Sequence, residues 1–133
     1  MSKNLPDRVF VVVADGTRAR FFHLQSGPSE TRLVDEGVLH PAHLIGEGPS
    51  GKSPPERSHH ETDEATFAKQ VAQELYRRAH DREFTSLILI ADPQTLGQIR
   101  PQLHKEVATR VTREVAKTLT NASHTDILDA VAA

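Results

Sequence analysis

The sequence predicts a single α/β domain: a mixed five-stranded sheet with an N-terminal antiparallel hairpin and helices packed on it. Two observations point there. A pair of apolar, β-branched runs near the N-terminus is joined by Asp15-Gly16, and helical and strand-like periodicities then alternate along the rest of the chain. The length, 133 residues, suits one domain. The hydrophobic fraction of 37% is enough for one core.

The elements follow in order. "RVFVVVADGTRARFFHL" reads as two strands and a tight turn. Val9 to Ala14 are nearly all apolar, which predicts a strand buried on both faces. Asp15-Gly16 is a hairpin signal, because Gly tolerates positive φ and Asp tolerates it better than most residues. In the second strand Arg18, Arg20 and Phe22 alternate with Ala19, Phe21 and His23, so one face is basic near the turn. "ETRLVDEGVL" gives a third strand from about Arg32 to Leu39.

The texture then changes. Residues 40–58, "HPAHLIGEGPSGKSPPERS", hold three glycines and four prolines and keep no period, which predicts a long flexible loop. Helical order resumes at Ser58, where Ser58 and Glu61 are spaced as a capping box. Phe67, Ala68, Val71, Ala72, Leu75 and Ala79 form one apolar stripe of a helix ending near Asp81, with Lys69, Gln73, Arg77 and Arg78 away from it. This helix is expected to pack Val71 and Leu75 on Val11, Val13, Leu87 and Leu89. "TSLILIADP" is a buried strand stopped by Asp92-Pro93. "PQTLGQIRPQLHKEV" reads as a helix with Leu96, Ile99 and Leu103 on one side and Pro101 as a kink. Thr109 to Leu119 suits a helix by the spacing of Val107, Val111, Val115 and Leu119, and a strand by its Thr and Val content. Ser123 to Val131 is a short helix, with Ser123 and Asp126 spaced as a capping pair.

Composition excludes several functions. The net charge is −2, so no global field draws the chain to nucleic acid or anionic lipid, and any such contact must be local. No cysteine is present, which removes disulfides, thiolate metal sites and a cysteine nucleophile. "MSKNLPDRVF" has no apolar core of signal-peptide length, and no apolar run approaches the roughly 20 residues of a membrane span. A cytoplasmic protein is expected, with no membrane partner and no DNA partner.

"GEGPSGKS", Gly46 to Ser53, spells G-x-x-x-x-G-K-S, the pattern of a phosphate-cradling loop. In that loop backbone N–H groups meet phosphate oxygens, and the lysine neutralises charge at the start of a helix. Pro54 and Pro55 follow at once and disfavour helical backbone at Ser53 and Pro54. The expectation is an irregular loop over 46–57, with no helix starting at Lys52 and no cofactor. Gly46, Gly48, Gly51, Lys52 and Arg57 remain candidate binding residues of this segment.

Other candidates are sparser. His60 and Glu64, four apart on one helix face beside His59, have metal-ligand spacing. Asp15 and Asp92, each at a strand end, are candidates for paired carboxylates of a metal-dependent nuclease. Arg18 and Arg20 are candidates for an anion or an RNA backbone. With five Phe and one Tyr, the chain carries no aromatic-rich base-stacking signature.

Four stretches, "VVVADGTRARFF", "HETDEATFAKQVAQEL", "LILIADPQTLGQIRPQL" and "VTREVAKTLTN", together resemble a bacterial family named for host attachment. That family is similar in layout to the middle domain of archaeal and eukaryotic peptide-chain release factors. The resemblance implies a ribonuclease H-like arrangement, shared with certain ribosomal proteins, in which the segment from Thr109 is the last strand. In release factors the long loop carries Gly-Gly-Gln. Gly46 to Arg57 has glycines but no glutamine, so peptidyl-tRNA hydrolysis is not expected. The reading is a non-catalytic binding module with RNA or the ribosome as partner and a homo-oligomer left open. The alternative is a nucleotide- or metal-dependent enzyme using the Gly46–Ser53 loop or His59 and His60.

Overall fold

The computed structural model describes residues 8–41 and 59–132, with the side chains of 59–65 outside that description. Five strands, β1 (Val9–Ala14), β2 (Ala19–Ser26), β3 (Thr31–Leu39), β4 (Ser86–Ala91) and β5 (Val111–Ala116), form one sheet in the order β3-β2-β1-β4-β5. The pairs β1–β2 and β2–β3 are antiparallel, and β1–β4 and β4–β5 are parallel. The helices are α1 (His59–His80), α2 (Pro93–Ile99), α3 (Lys105–Ala108) and α4 (His124–Ala132), with a 3₁₀ turn at Arg100–Gln102. The mixed sheet, its N-terminal hairpin and its packed helices are those expected from the sequence. No helix among the described residues is long and apolar enough to cross a membrane.

β1 lies at the centre of the sheet and feeds two cores. Phe10, Val12 and Ala14 join Phe21, Leu87 and Leu89 under α1, α2 and α3, where Phe67, Val71, Leu75, Leu96, Ile99 and Val107 are buried. Val11 and Val13 join Phe22, Ile88 and Ile90 on the opposite face, under Ile127 of α4. The expected packing of Val71 and Leu75 on Leu87 and Leu89 is present. Their expected partners Val11 and Val13 instead face α4. Alternation sends successive residues to opposite faces, and a strand apolar at every position does not say which set faces which helix.

Three local expectations are corrected. The connection at Asp15-Gly16 spans residues 15–18, and the Asp15 side chain closes it. Among the described residues only Gly37 and Arg82 have positive φ, so Gly16 does not use that freedom. The helix expected from Pro93 to Val107 is α2, a 3₁₀ turn and α3, because Pro101 has no N–H to continue the α-helical ladder. Arg78, expected away from the apolar stripe, is largely buried instead. Its guanidinium donates to the Glu36 carbonyl at 3.0 Å, bonds Glu74 at 2.7 Å and lies 4.7 Å from the Phe21 ring centroid.

Two bulges set the edges of the sheet. Phe21 pairs with Gly37 and Phe22 with Asp35, so Glu36 is an extra residue in β3. Leu87 pairs with Val111 and Ile88 with Arg113, leaving Thr112 extra in β5. The second bulge reverses the parity of β5: Val111 packs with the α1 side and Val115 with the α4 side. The segment open to two readings is therefore a strand, as its Thr and Val content favours.

Candidate functional site

The turn after β1 is organised by one carboxylate. Asp15 Oδ1 accepts from Thr17 N at 2.8 Å, Thr17 Oγ1 at 3.0 Å and Arg18 N at 2.9 Å. Asp15 Oδ2 accepts from Thr120 Oγ1 at 2.6 Å, which ties the turn to the segment before α4. Burial raises the Asp15 pKa, but the hydrogen bonds from Thr120, Thr17 and Arg18 outweigh it, and the carboxyl sits below its ordinary value of 3.8.

Arg20 lies in β2 and Arg18 two residues earlier, at the end of the turn, and both reach the same segment. Arg18 Nη2 donates to the Thr120 carbonyl at 2.7 Å and to Asn121 Oδ1. Arg20 Nη1 donates to the carbonyls of Thr120, at 3.1 Å, and Ala122, at 3.0 Å. The Arg20 guanidinium also lies 5.0 Å from the Phe22 ring centroid. Neutral carbonyls hold these groups without cancelling their charge. Among the described residues neither arginine takes part in an ion pair, whereas Arg8, Arg77, Arg78, Arg100 and Arg110 all do. Arg18 Nε is buried with no partner among the described residues, a state that costs about 1–3 kcal/mol when left unmet.

Cross-strand register completes the site. Arg20 pairs with Val38, and one step on Ala19 pairs with Leu39. Alternation then returns Arg18 and His40 to the face of Arg20 and Val38. Together with Thr120 and Asn121 they line an open cleft of about 410 Å³, and among the described residues no carboxylate is in its lining. Val38 is 54% exposed at this position. The cleft can receive an anion: its fixed charges are cationic, and carbonyls hold them in place before any ligand arrives.

Of the residues expected from the sequence, the structure brings Arg18 and Arg20 together. Val38, His40, Thr120 and Asn121 were missed. Val38 and His40 could have been found from the alternation of the third strand had its register against Arg20 been known; Thr120 and Asn121 carry no signal beyond two polar residues before a helix cap. Asp15 and Asp92 follow adjacent parallel strands, where Ala14 pairs with Ala91. Each is engaged locally: Asp15 as above, and Asp92 by accepting from Thr95 N at 3.1 Å as the N-cap of α2. Among the described residues no group of three or more His, Asp or Glu side chains is placed to hold a metal. The side chains of His59, His60 and Glu64 lie outside the described residues. So do Gly46, Gly48, Gly51, Lys52 and Arg57, and with them the expectations for the G-x-x-x-x-G-K-S stretch and the Ser58–Glu61 capping box.

Comparison with known proteins bears on this fold. No curated protein matches the chain. Among solved structures, the chain is similar to the archaeal translation termination factor aRF1, at 12% identity and a TM-score of 0.54, covering 95% of this chain and 35% of that one. It is similar to a structure described as an archaeal protein, at 13% identity and a TM-score of 0.51, covering 86% and 31%. It also matches the Ppx/GppA phosphatase of Aquifex aeolicus, at 12% identity and a TM-score of 0.48, covering 84% and 36%. The chain thus spans about a third of the length of each of these structures. The first two likenesses show a shared fold and accord with the release factor-like layout expected from the motifs. A family model covers residues 8–131, nearly the whole chain, and on that match the protein belongs to bacterial archaeo-eukaryotic release factor family 12.

Proposed function

We propose that this protein is a non-catalytic binding module of the translation machinery that contacts RNA, on the ribosome or bound to it, through the face carrying Arg18 and Arg20. The observation that carries the reading is the cleft in which backbone carbonyls hold two arginines that, among the described residues, meet no carboxylate in the lining and form no ion pair. Such a site is suited to phosphate oxygens, which guanidinium groups meet with paired N–H donors. Membership of a release factor-related family supports translation as the setting. In the same reading the Gly46–Arg57 segment, with Gly48, Gly51 and Lys52, contributes further contacts to RNA. The protein acts in the cytoplasm, and the host-attachment name of the family its motifs resemble reflects an indirect consequence of that role.

The test is co-sedimentation of the purified chain with ribosomes at low and high salt. The chain should sediment with ribosomes at low salt and be released as salt rises, because phosphate contacts release counterions. Arg18→Gln with Arg20→Gln should abolish sedimentation, while the double lysine variant, which keeps the charge, should retain part of it. Failure of the wild-type chain to sediment at low salt would remove the reading. So would glutamine variants that sediment like wild type.

A further inference from the structure

The cleft is larger and more varied than a bare anion needs. Its volume of about 410 Å³ lies within the range of small-molecule sites. Its lining falls into three chemistries. Arg18 and Arg20 supply cationic donors: Arg18 Nη2 and Arg20 Nη1 each make two hydrogen bonds to the protein, which among the described residues leaves the other terminal nitrogen of each guanidinium to meet a ligand. Val38, 54% exposed and in register with Arg20, supplies an apolar wall. Asn121 and His40 supply polar groups able to pair with a heterocycle edge or a sugar hydroxyl. Inorganic phosphate would use only the first of these, and an aliphatic carboxylate would leave the polar edge unmatched. A nucleotide carries all three features: a phosphate, an apolar ring face, and hydrogen-bonding edges.

We propose that the cleft bounded by Arg18, Arg20, Val38, His40, Thr120 and Asn121 is a mononucleotide site that takes one unstacked nucleotide of a single-stranded RNA. Arg18 and Arg20 hold the phosphate, and the base or ribose rests against Val38. This rests on the reading of the protein as an RNA-binding module and adds the unit that it recognises. Single-stranded rather than duplex RNA fits, because a base can rest against Val38 only when it is free of its stacked neighbours. The carbonyl clamps from Thr120 and Ala122 preorganise the arginines, so binding loses little side-chain freedom.

The test uses the full chain with three probes: a fluorescein-labelled single-stranded oligoribonucleotide, adenosine 5′-monophosphate and inorganic phosphate. The discriminating variant is Val38→Glu. That side chain is exposed, so the fold should persist with an unchanged unfolding midpoint, and a carboxylate would enter a lining that has none among the described residues. The nucleotide should displace the oligomer and shift the Arg18 and Arg20 Nε–H resonances. Val38→Glu should weaken both effects at least about tenfold, as expected from loss of a favourable charge pairing. Oligomer binding that is equal in Val38→Glu and indifferent to the nucleotide would overturn the cleft assignment while leaving the RNA-binding reading standing. Inorganic phosphate acting as strongly as the nucleotide would also overturn it, reducing the cleft to an anion site. Resonance shifts with the nucleotide but no binding of any RNA would support the cleft and remove the RNA reading. No response to any probe would remove both.

Discussion

Asp15 accepts four hydrogen bonds across its two carboxylate oxygens. Its pKa is depressed on folding although burial alone would raise it. The folded state therefore binds fewer protons than the unfolded chain near the ordinary value of 3.8, and stability rises with pH through that region. The contribution is complete above that value and is lost as pH falls through the lowered folded pKa. Asp15→Asn should flatten part of this acid loss when unfolding midpoints are compared between about pH 6 and about pH 2.5. Some loss should remain, because Glu74, which burial pushes up but Arg77 and Arg78 pull down further, behaves likewise. Gly37 gives a second residue-scale prediction. It follows the extra residue Glu36 in the bulge and has φ of 120°, a conformation that side chains resist. A Cβ there would stand 3.3 Å from Arg78 Nη2, which is donating to the Glu36 carbonyl. Gly37→Ala should cost about 1–3 kcal/mol in urea unfolding. A cost near zero would mean that the bulge relaxes freely.

At the scale of the elements, α1 illustrates what patterning can deliver. The stripe from Phe67 to Ala79 is buried throughout, and Leu75 is fully inaccessible between α1 and the sheet. Leu75→Ala should destabilise by about 2–5 kcal/mol, from lost burial plus the cavity left behind, measured by denaturant unfolding. A change within roughly 0.5 kcal/mol would contradict the packing of this helix. The start of α2 separates a structural carboxylate from a chemical one. Asp92 accepts from Thr95 N, and Asn can do the same. Asp92→Ala should therefore cost about 1 kcal/mol, and Asp92→Asn less than about 0.5 kcal/mol. Equal losses in both variants would show that the charge itself matters. At the start of α4 the Ser123 hydroxyl accepts from Asp126 N at 3.1 Å, the cap that the spacing of these two residues suggested.

The whole molecule carries a net charge of −2, so its affinity for a polyanion must be local and modest in its salt dependence. A single strand whose phosphate is held by Arg18 and Arg20 together makes about one phosphate contact in the cleft. The slope of log K against log salt should then be about −0.7, the value for one contact on a single strand. A wild-type slope steeper than about −4 would place most contacts outside the cleft. The fold itself places the cleft. β1 is central and ends where β2 turns back, and the segment after β5 crosses to that end before α4 begins. Residues about a hundred positions apart meet there, as Arg18 does with Thr120.

Local patterning placed most of the elements in order, but left the segment from Thr109 open between helix and strand and ran α2, the 3₁₀ turn and α3 together. Apolar runs and helical stripes report how each segment meets a core, and that is a local property of the chain. The same alternation named Arg18 and Arg20 as a basic strand face. Only the tertiary structure decided which face of β1 each helix covers, because an unbroken apolar strand presents two equivalent sides until packing breaks the tie. It also placed the extra residues Glu36 and Thr112, since a bulge is a relation between two strands and leaves no mark in either alone. The cleft required both. Val38 and His40 come beside the arginines through register, and Thr120 and Asn121 come there through a long-range closure that Asp15 and the arginines fasten.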